Sequence, residues 1–430
     1  MLRTIEPPRQ IVQAGLGTTP DRGILQSVWF EIPGNCDLAC PYCFCATTGT
    51  DDAEDYVASG QPAFGDSVRY HYEPYEKLIF RPLAEQVRAW NEASPEQRVA
   101  VFGCPLENAQ TTEIVRGKVA IPGAGEPFHP LNRELVLSLI RSANSCGLHI
   151  TIFTTGHWID DALAAELLPL DVVLLVKRNS GKREVQNALV GKPADHTFFD
   201  QREEALRRLM DAGFNKPYGR PGSPEYQETR LGVVTSIMRE NINELEDLLR
   251  FARTNNIIFD CDTILERGRG GKCRQRLTDQ MTERGFKILQ KLDRKKWKRR
   301  WEISSTYVGT ACDRHRHHLY VDRRGFIYPC VGCLEDKEHG IDPIILGNIK
   351  NGPQALLEAW TSPIMAQVIR PWNYEGPCKE CAKPEEGVCF SCLGRFRDSL
   401  VTLTKDSTEP ITTIGCWNQT VRRRKQKADS

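Results

Sequence analysis

Ile24-Leu25-Gln26-Ser27-Val28-Trp29-Phe30-Glu31-Ile32, then Pro33-Gly34, then Asn35-Cys36-Asp37-Leu38-Ala39-Cys40-Pro41-Tyr42-Cys43 is the stretch from which the rest of the chain is read. Its first part is a short apolar run closed by Pro and Gly, the signature of a buried strand rather than a helix. Three cysteines follow at once, at spacing C-x3-C-x2-C, in a loop. Thiolates are the ligands of iron–sulfur clusters, and three of them in one loop can wrap one corner of a four-iron four-sulfur, [4Fe-4S], cluster. Three ligands leave one iron open, and an open position separates a reactive metal site from a closed structural one. Tyr42, just before the third cysteine, can shield such a cluster from solvent. Taken bare, the same spacing also suits zinc or chance.

Downstream, residues 46–75 are rich in Gly, Asp, Thr and Tyr and show little periodicity, while 76–93 have helical spacing with Leu78, Leu83, Val87 and Trp90 on one side. From about 118 the chain alternates. Strands are expected at 118–121, 148–153, 171–176, 231–237 and 257–263, with helices at 131–146, 160–168, 201–212 and 241–255. Strands alternating with helices of this length form parallel βαβ units. With the first strand there are about six units, too few for an eight-unit barrel, so the expected fold is α/β, an open or partial (β/α)6 barrel. Segment 276–301 is a helical pattern ending in a basic run, Arg294 to Trp301. Beyond it the βα rhythm stops and Cys, Gly and Pro become frequent.

The chain has 430 residues, a formal net charge of +1 and 26% charged residues. That balance argues for neither nucleic acid nor an acidic partner. No apolar run reaches the roughly 18–20 residues of a membrane helix, and Met1 to Gln10 lack a signal-peptide core, so a cytoplasmic protein is expected. Sixteen cysteines are the anomaly. In a reducing compartment clustered cysteines are metal ligands or redox centres more often than disulfides. Cys36, Cys40, Cys43 and Cys45 fall together. Cys312, Cys330, Cys333, Cys378, Cys381, Cys389, Cys392 and Cys416 fall in the last third. Cys104, Cys146, Cys261 and Cys273 are scattered and read as small buried hydrophobes.

The C-x3-C-x2-C motif with an aromatic before its last cysteine resembles the signature of the radical S-adenosylmethionine (SAM) superfamily. Ala124-Gly125-Glu126-Pro127, after the strand at 118–121, looks like that family's Gly-Gly-Glu-Pro turn, whose backbone holds the amino group of the methionine moiety, with Ala124 in place of the first Gly. Lys177-Arg178-Asn179-Ser180 looks like the segment near the cofactor's ribose and carboxylate. Gly232-Val233-Val234-Thr235 with Asn241 and Glu244 resembles the fifth strand and its helix, and Gly268-Arg269 the turn after the sixth. The resemblance covers about 24–270. It implies Cys36, Cys40 and Cys43 as ligands of the catalytic [4Fe-4S] cluster, and Tyr42, Ala124, Gly125, Glu126, Pro127, Lys177, Asn179 and Ser180 at the S-adenosyl-L-methionine. It also implies reductive cleavage of that cofactor to a 5′-deoxyadenosyl radical that abstracts a substrate hydrogen, fed by a reductant such as flavodoxin or ferredoxin.

The C-terminal cysteines, with Gly325 before Cys330 and with Leu346-Gly347-Asn348-Ile349 and Ala359-Trp360-Thr361-Ser362 between the two groups, resemble the SPASM extension of radical SAM enzymes. Such a domain usually holds two auxiliary [4Fe-4S] clusters. By position Cys312, Cys330 and Cys392 would bind the first, and Cys378, Cys381, Cys389 and Cys416 the second. Cys333 would complete the first, or one iron would stay open to substrate. Structural zinc on the two C-x2-C pairs is the rival for this region.

The expected organisation is an N-terminal extension at 1–23, a radical SAM core at 24–270 with inserted loops at about 46–75 and 94–117, a helical linker at 271–304, a SPASM domain at 305–420 and a basic tail at 421–430. The expected function is an oxidoreductase acting on a peptide or small natural product, its auxiliary clusters taking an electron. A redox-neutral epimerase or dehydratase, and a non-catalytic metal-binding RNA or protein adaptor, are the alternatives. A separate leader-peptide-binding domain is not expected before residue 24, which leaves room for a sugar or other small natural product as substrate. The basic run 294–301 and the Arg314 to His318 cluster read best as a solvated helix face and as packing beside a ligand cysteine.

Overall fold

The computed structural model describes residues 23–32, 34–44, 71–104, 106–223, 225–264, 268–298, 317–334 and 343–365. Six strands form in the expected order: β1 (Ser27–Phe30), β2 (Lys118–Ile121), β3 (His149–Thr154), β4 (Val172–Lys177), β5 (Leu231–Ile237) and β6 (Ile258–Thr263). Each pairs in parallel with the next. The sheet is open, as an incomplete barrel must be, and does not end at β1. Strand β7 (His318–Val321) adds in parallel to β1, and β8 (Phe326–Tyr328) and β9 (Gly347–Asn348) follow antiparallel. The order across the sheet is β6-β5-β4-β3-β2-β1-β7-β8-β9. Sequence rhythm placed a break near 300; in the structure β7 covers what would otherwise be the exposed edge of β1, satisfying its backbone groups.

Register explains the two faces. Successive side chains of a strand point to opposite sides. On one side Val28, Ile121, Ile152, Leu174, Val233 and Leu319 are buried in the main core. The other side carries Trp29 beside Ala120 and Tyr320, Phe153 beside Leu175, Lys177 beside Val234, and Ser236 beside Asp262. Here Val173, Leu175 and Val234, with Phe153 and Ile258, make a separate small apolar cluster.

The helices that cover the core show the spacing that puts residues on one stripe. In α3 (Arg133–Ser145) the buried positions include Val136, Leu139, Ile140 and Ala143, and in α7 (Leu245–Thr254) they are Leu245, Leu248, Leu249 and Ala252. Each Val, Leu or Ile among them contributes roughly 1.5–3 kcal/mol when fully buried. The helical pattern at 76–93 becomes a continuous helical run from Glu73 whose last part, α1 (Arg81–Glu92), buries Leu83, Val87 and Trp90. In the stretch 94–117, α2 (Pro95–Phe102) opens on a capping box in which Ser94 and Gln97 serve each other's backbone N–H. Helix α4 (Asp161–Leu167) is capped by Asp160, and α6 (Phe198–Ala212) ends at Gly213 in the left-handed region.

Helix α5 (Arg183–Leu189), just after β4, had no sequence signal, and neither α2 nor the short helix at Ala355–Trp360 was expected. Helix α5 buries Gln186 and Asn187 through hydrogen bonds rather than an apolar stripe, so it shows no amphipathic period. Helix α8 (Asp279–Leu292) runs on into Asp293–Trp297, where buried Asp293 pairs with Arg253 at 2.8 Å and the basic side chains Arg294, Lys295 and Lys296 face solvent. After β9, α9 (Ala355–Trp360) returns to the main core through Leu356 and Trp360. Among the described residues no helix is long and apolar enough to cross a membrane.

Candidate functional site

The cysteine loop lies beyond the C-terminal end of β1, where the loops of parallel strands converge. Elements far away in sequence hold it. Ala39 N–H donates to Val190 O (3.1 Å), and a Cβ on Gly191, whose φ is +74°, would come within 2.7 Å of Ala39 O. On the other side Arg269 Nε donates to Cys40 O (2.8 Å), and a Cβ on Gly268 (φ +52°) would sit 2.6 Å from Phe44 O. Only glycine lets both turns close this far onto the loop. Within it, Cys43 N–H donates to Cys40 O at 3.2 Å.

The Ala124–Pro127 turn abuts the same loop. Glu126 N–H donates to Asn35 O (2.8 Å), and Asn35 and Asn132 bond side chain to side chain at 2.7 Å. Gly125 takes φ +99°. The Glu126 carboxylate is buried and fully engaged by this chain: it accepts from Phe128 N (3.1 Å), Thr154 Oγ1 (2.5 Å), Thr155 N (2.8 Å) and Thr155 Oγ1 (2.6 Å). Its side chain therefore shapes the turn, and what the turn offers a ligand is backbone. From Thr155 the network continues to His157 Nδ1 (2.8 Å), whose Nε2 lies 3.1 Å from both oxygens of Asp37. Burial alone would raise the Asp37 carboxyl; the His157 contact and the Trp158 N–H outweigh it and hold it at about 2.

The segment after β4 closes the third side. Asn179 Nδ2 donates to Tyr42 OH at 2.6 Å, its Oδ1 accepts from Ser236 N, and its carbonyl accepts from Asn241 Nδ2. Ser180 Oγ donates to Glu244 at 2.8 Å. The structure thus joins Asn241 and Glu244 to Asn179 and Ser180, and it commits the last two side chains to internal bonds. Lys177 Nζ donates to Ser236 Oγ (3.0 Å) and lies 5.7 Å from the Tyr42 ring centroid. Burial lowers its pKa; Asp260, Cys40, Asp262 and Cys43 act in the opposite direction. Asp260 and Asp262 were not expected here; they alternate on β6 and point to the Lys177 side of the sheet.

Cys36 is buried and Cys40 and Cys43 half-buried, and none forms a disulfide. Burial pushes the Cys36 thiol well up, with Glu126, Cys40 and Asp37 adding to it. Burial, then Cys43, pushes Cys40 up to about 12 against Lys177, Tyr42 and Arg269. Such thiols ionise only when a metal supplies the charge, since coordination deprotonates a thiol outright. Among the described residues no three His, Cys, Asp or Glu side chains close on one metal ion. The loop itself supplies three thiols from one short segment, the donor type that iron–sulfur clusters take.

Of the C-terminal cysteines, Cys330 and Cys333 lie in the described residues. They occupy the turn after β8 with sulfurs 3.7 Å apart, Cys333 N–H donating to Cys330 O (3.0 Å). Cys312, Cys378, Cys381, Cys389, Cys392 and Cys416 lie outside the described residues, as do Cys45 and Arg314 to Arg316. His318 opens β7 and packs edge-on against Trp29. The scattered Cys104, Cys261 and Cys273 are buried, and Cys146 half-buried, as expected of packing residues. Sequence reasoning missed Asp37, Thr155 and His157. The signal available was position: Thr155-Gly156-His157 directly follows a parallel strand.

A family model described as SPASM, an iron–sulfur cluster-binding domain, matches residues 312–382. No curated protein matches the chain. Among solved structures, Streptococcus suis SuiB is similar at 13% identity and a TM-score of 0.60, over 95% of this chain and 80% of that one. SuiB bound to precursor peptide SuiA gives 0.58 at 13% identity, over 95% and 79%. The anSMEcpe structure with bound AdoMet and Cp18Cys peptide gives 0.56 at 15% identity, over 92% and 95%. The chain thus shares the fold of SuiB and anSMEcpe, and over residues 312–382 it resembles the SPASM iron–sulfur cluster-binding domain.

Proposed function

We propose that this chain is a radical SAM/SPASM enzyme that removes a hydrogen from a peptide substrate, with the C-terminal cysteines ligating auxiliary clusters that accept an electron. The observation that supports it above all others is the loop Cys36–Cys43, built of one buried and two half-buried thiols and clamped by the ends of β2, β3, β4 and β6. Cys36, Cys40 and Cys43 would hold a [4Fe-4S] cluster, and Cys330 with Cys333 part of an auxiliary one. When bound, a cluster with one open iron supplies S-adenosylmethionine with the electron that splits its sulfonium and releases a 5′-deoxyadenosyl radical.

The chain's own residues orient and exclude water. Tyr42, held by Asn179, covers one side of the loop. The Ala124–Pro127 backbone, stiffened by Glu126, offers polar groups beside Asn35. Lys177 stands among the thiols of Cys40 and Cys43 and the carboxylates of Asp260 and Asp262, which oppose the lowering that burial imposes on it. The apolar patch of Val173, Leu175 and Val234 on the same sheet face suits the dry surroundings a reactive radical needs. Support for a peptide comes from the fold shared with SuiB and anSMEcpe, whose structures contain peptides. The test is anaerobic reconstitution with iron, sulfide and dithionite, followed by assay for 5′-deoxyadenosine. Release by the parent and none by Cys40→Ala is expected; equal release by both sinks the proposal.

A further inference from the structure

We propose that His157 is a positioning residue that locks the cysteine loop to the Ala124–Pro127 turn, acting through Asp37 on one side and Thr155–Glu126 on the other, so that cluster and S-adenosylmethionine are held in one geometry. This rests on the function proposed above and adds a residue pair to it. The argument begins with hydrogens. Thr155 Oγ1 has one hydrogen and two close neighbours, Glu126 Oε2 at 2.6 Å and His157 Nδ1 at 2.8 Å. A carboxylate can only accept, so the hydroxyl hydrogen goes to Glu126, and its lone pair is left to accept from Nδ1–H. His157 Nε2 faces both Asp37 oxygens at 3.1 Å. The ring therefore joins the Asp37 carboxylate on one side to Thr155 Oγ1, and through that hydroxyl to the Glu126 carboxylate, on the other.

Packing fixes the ring in the third dimension. His157 has a 5% exposed side chain and lies between Phe198, with centroids 5.0 Å apart, and Trp158, at 5.2 Å. Trp158 also donates its Nε1–H to Asp37 Oδ1 at 3.4 Å. Asp37 is the residue directly after Cys36, and Glu126 N–H is bonded to Asn35, the residue directly before it. The chain of bonds is thus a closed circuit through the first cysteine: Cys36 to Asp37, His157, Thr155, Glu126, Asn35 and back. A circuit of this kind fixes the cysteine relative to the turn, where a single contact would let the loop pivot.

The experiment uses the full chain reconstituted anaerobically as parent, His157→Gln, Asp37→Asn and the double variant. Iron and sulfide per chain, the dissociation constant for S-adenosylmethionine, and the change in the reduced cluster's electron paramagnetic resonance signal on adding it are measured. Each single variant is expected to keep parent levels of iron and sulfide, to bind S-adenosylmethionine about tenfold more weakly, the scale of losing an outer-shell partner, and to show a diminished signal change. The double variant is expected to be no worse than either single one, because the pair acts as a unit. Parent-like binding and signal in both single variants, or independent additive losses, overturn the inference. Should His157→Gln fail to fold by circular dichroism, Asp37→Asn decides alone, since that side chain is 31% exposed and its amide is nearly isosteric. A parent whose signal ignores S-adenosylmethionine overturns the functional proposal and this inference with it.

Discussion

At the N-terminal end of the parallel strands Arg116 pairs with Asp171, His149 Nδ1 lies 2.9 Å from Asp171 Oδ1, Gln227 donates to the same oxygen at 3.2 Å, and Arg230 donates to Leu170 O at 2.6 Å. At the C-terminal end Glu126, Asn179 and Ser180 are as thoroughly bonded, but around them stand thiols that burial, above all, holds in the neutral form. The contrast separates two uses of buried polarity. Groups that answer one another within the chain hold the fold together. Groups set in a rigid frame and held neutral chiefly by burial are where a ligand's charge is needed. In a parallel sheet the second kind gathers beyond the strands' C-terminal ends, where loops from several strands meet.

Changes at the two ends should therefore separate chemistry from stability. The largest effect is expected from Cys40→Ala, which should bring 5′-deoxyadenosine release to background while the thermal midpoint before reconstitution moves little; a large fall in that midpoint would erase the contrast. At the opposite end burial, then the cations Arg116, Lys118 and Arg230, push His149 down to about 3. Its contact with Asp171 is thus a hydrogen bond from a neutral ring. Between the unfolded value near 6.5 and about 3 the unfolded chain takes up a proton that the folded one refuses. Stability should then fall on acidification through that window, by up to about 1.4 kcal/mol per pH unit from this group. Urea denaturation of parent and His149→Gln at pH 7 and pH 5 checks it: the variant should lose part of the slope.

Gly191→Ala comes next. The added Cβ would meet Ala39 O at 2.7 Å and adopt a left-handed φ, which costs about 1–2 kcal/mol. The penalty should fall on the loop, lowering iron retained after desalting more than the thermal midpoint. Equal iron retention would show that the turn does not grip the loop. The smallest expected effect is that of Tyr42→Phe, which removes the 2.6 Å bond to Asn179 and should cost about 1 kcal/mol in urea unfolding with the iron content unchanged.

The six parallel strands were legible because each is a short apolar run between turns, a pattern carried by neighbouring residues. The cysteine spacing was legible for the same reason. Helix α5 was not, because Gln186 and Asn187 are buried by hydrogen bonds that hydropathy does not register. The pairing of β7 with β1 was not either, since a strand carries no local mark of which edge it will cover.

Sequence by itself determined the α/β alternation, the three-thiol loop and the cysteine-rich C-terminal part, all of them written in residues a few positions apart. Tertiary structure alone decided what holds that loop: His157 reaches Asp37 across 120 positions and Arg269 reaches Cys40 across 229. Such contacts depend on where the strands put their ends in space, and hydrogen bonds between distant residues leave no period or spacing in the chain from which they could be read.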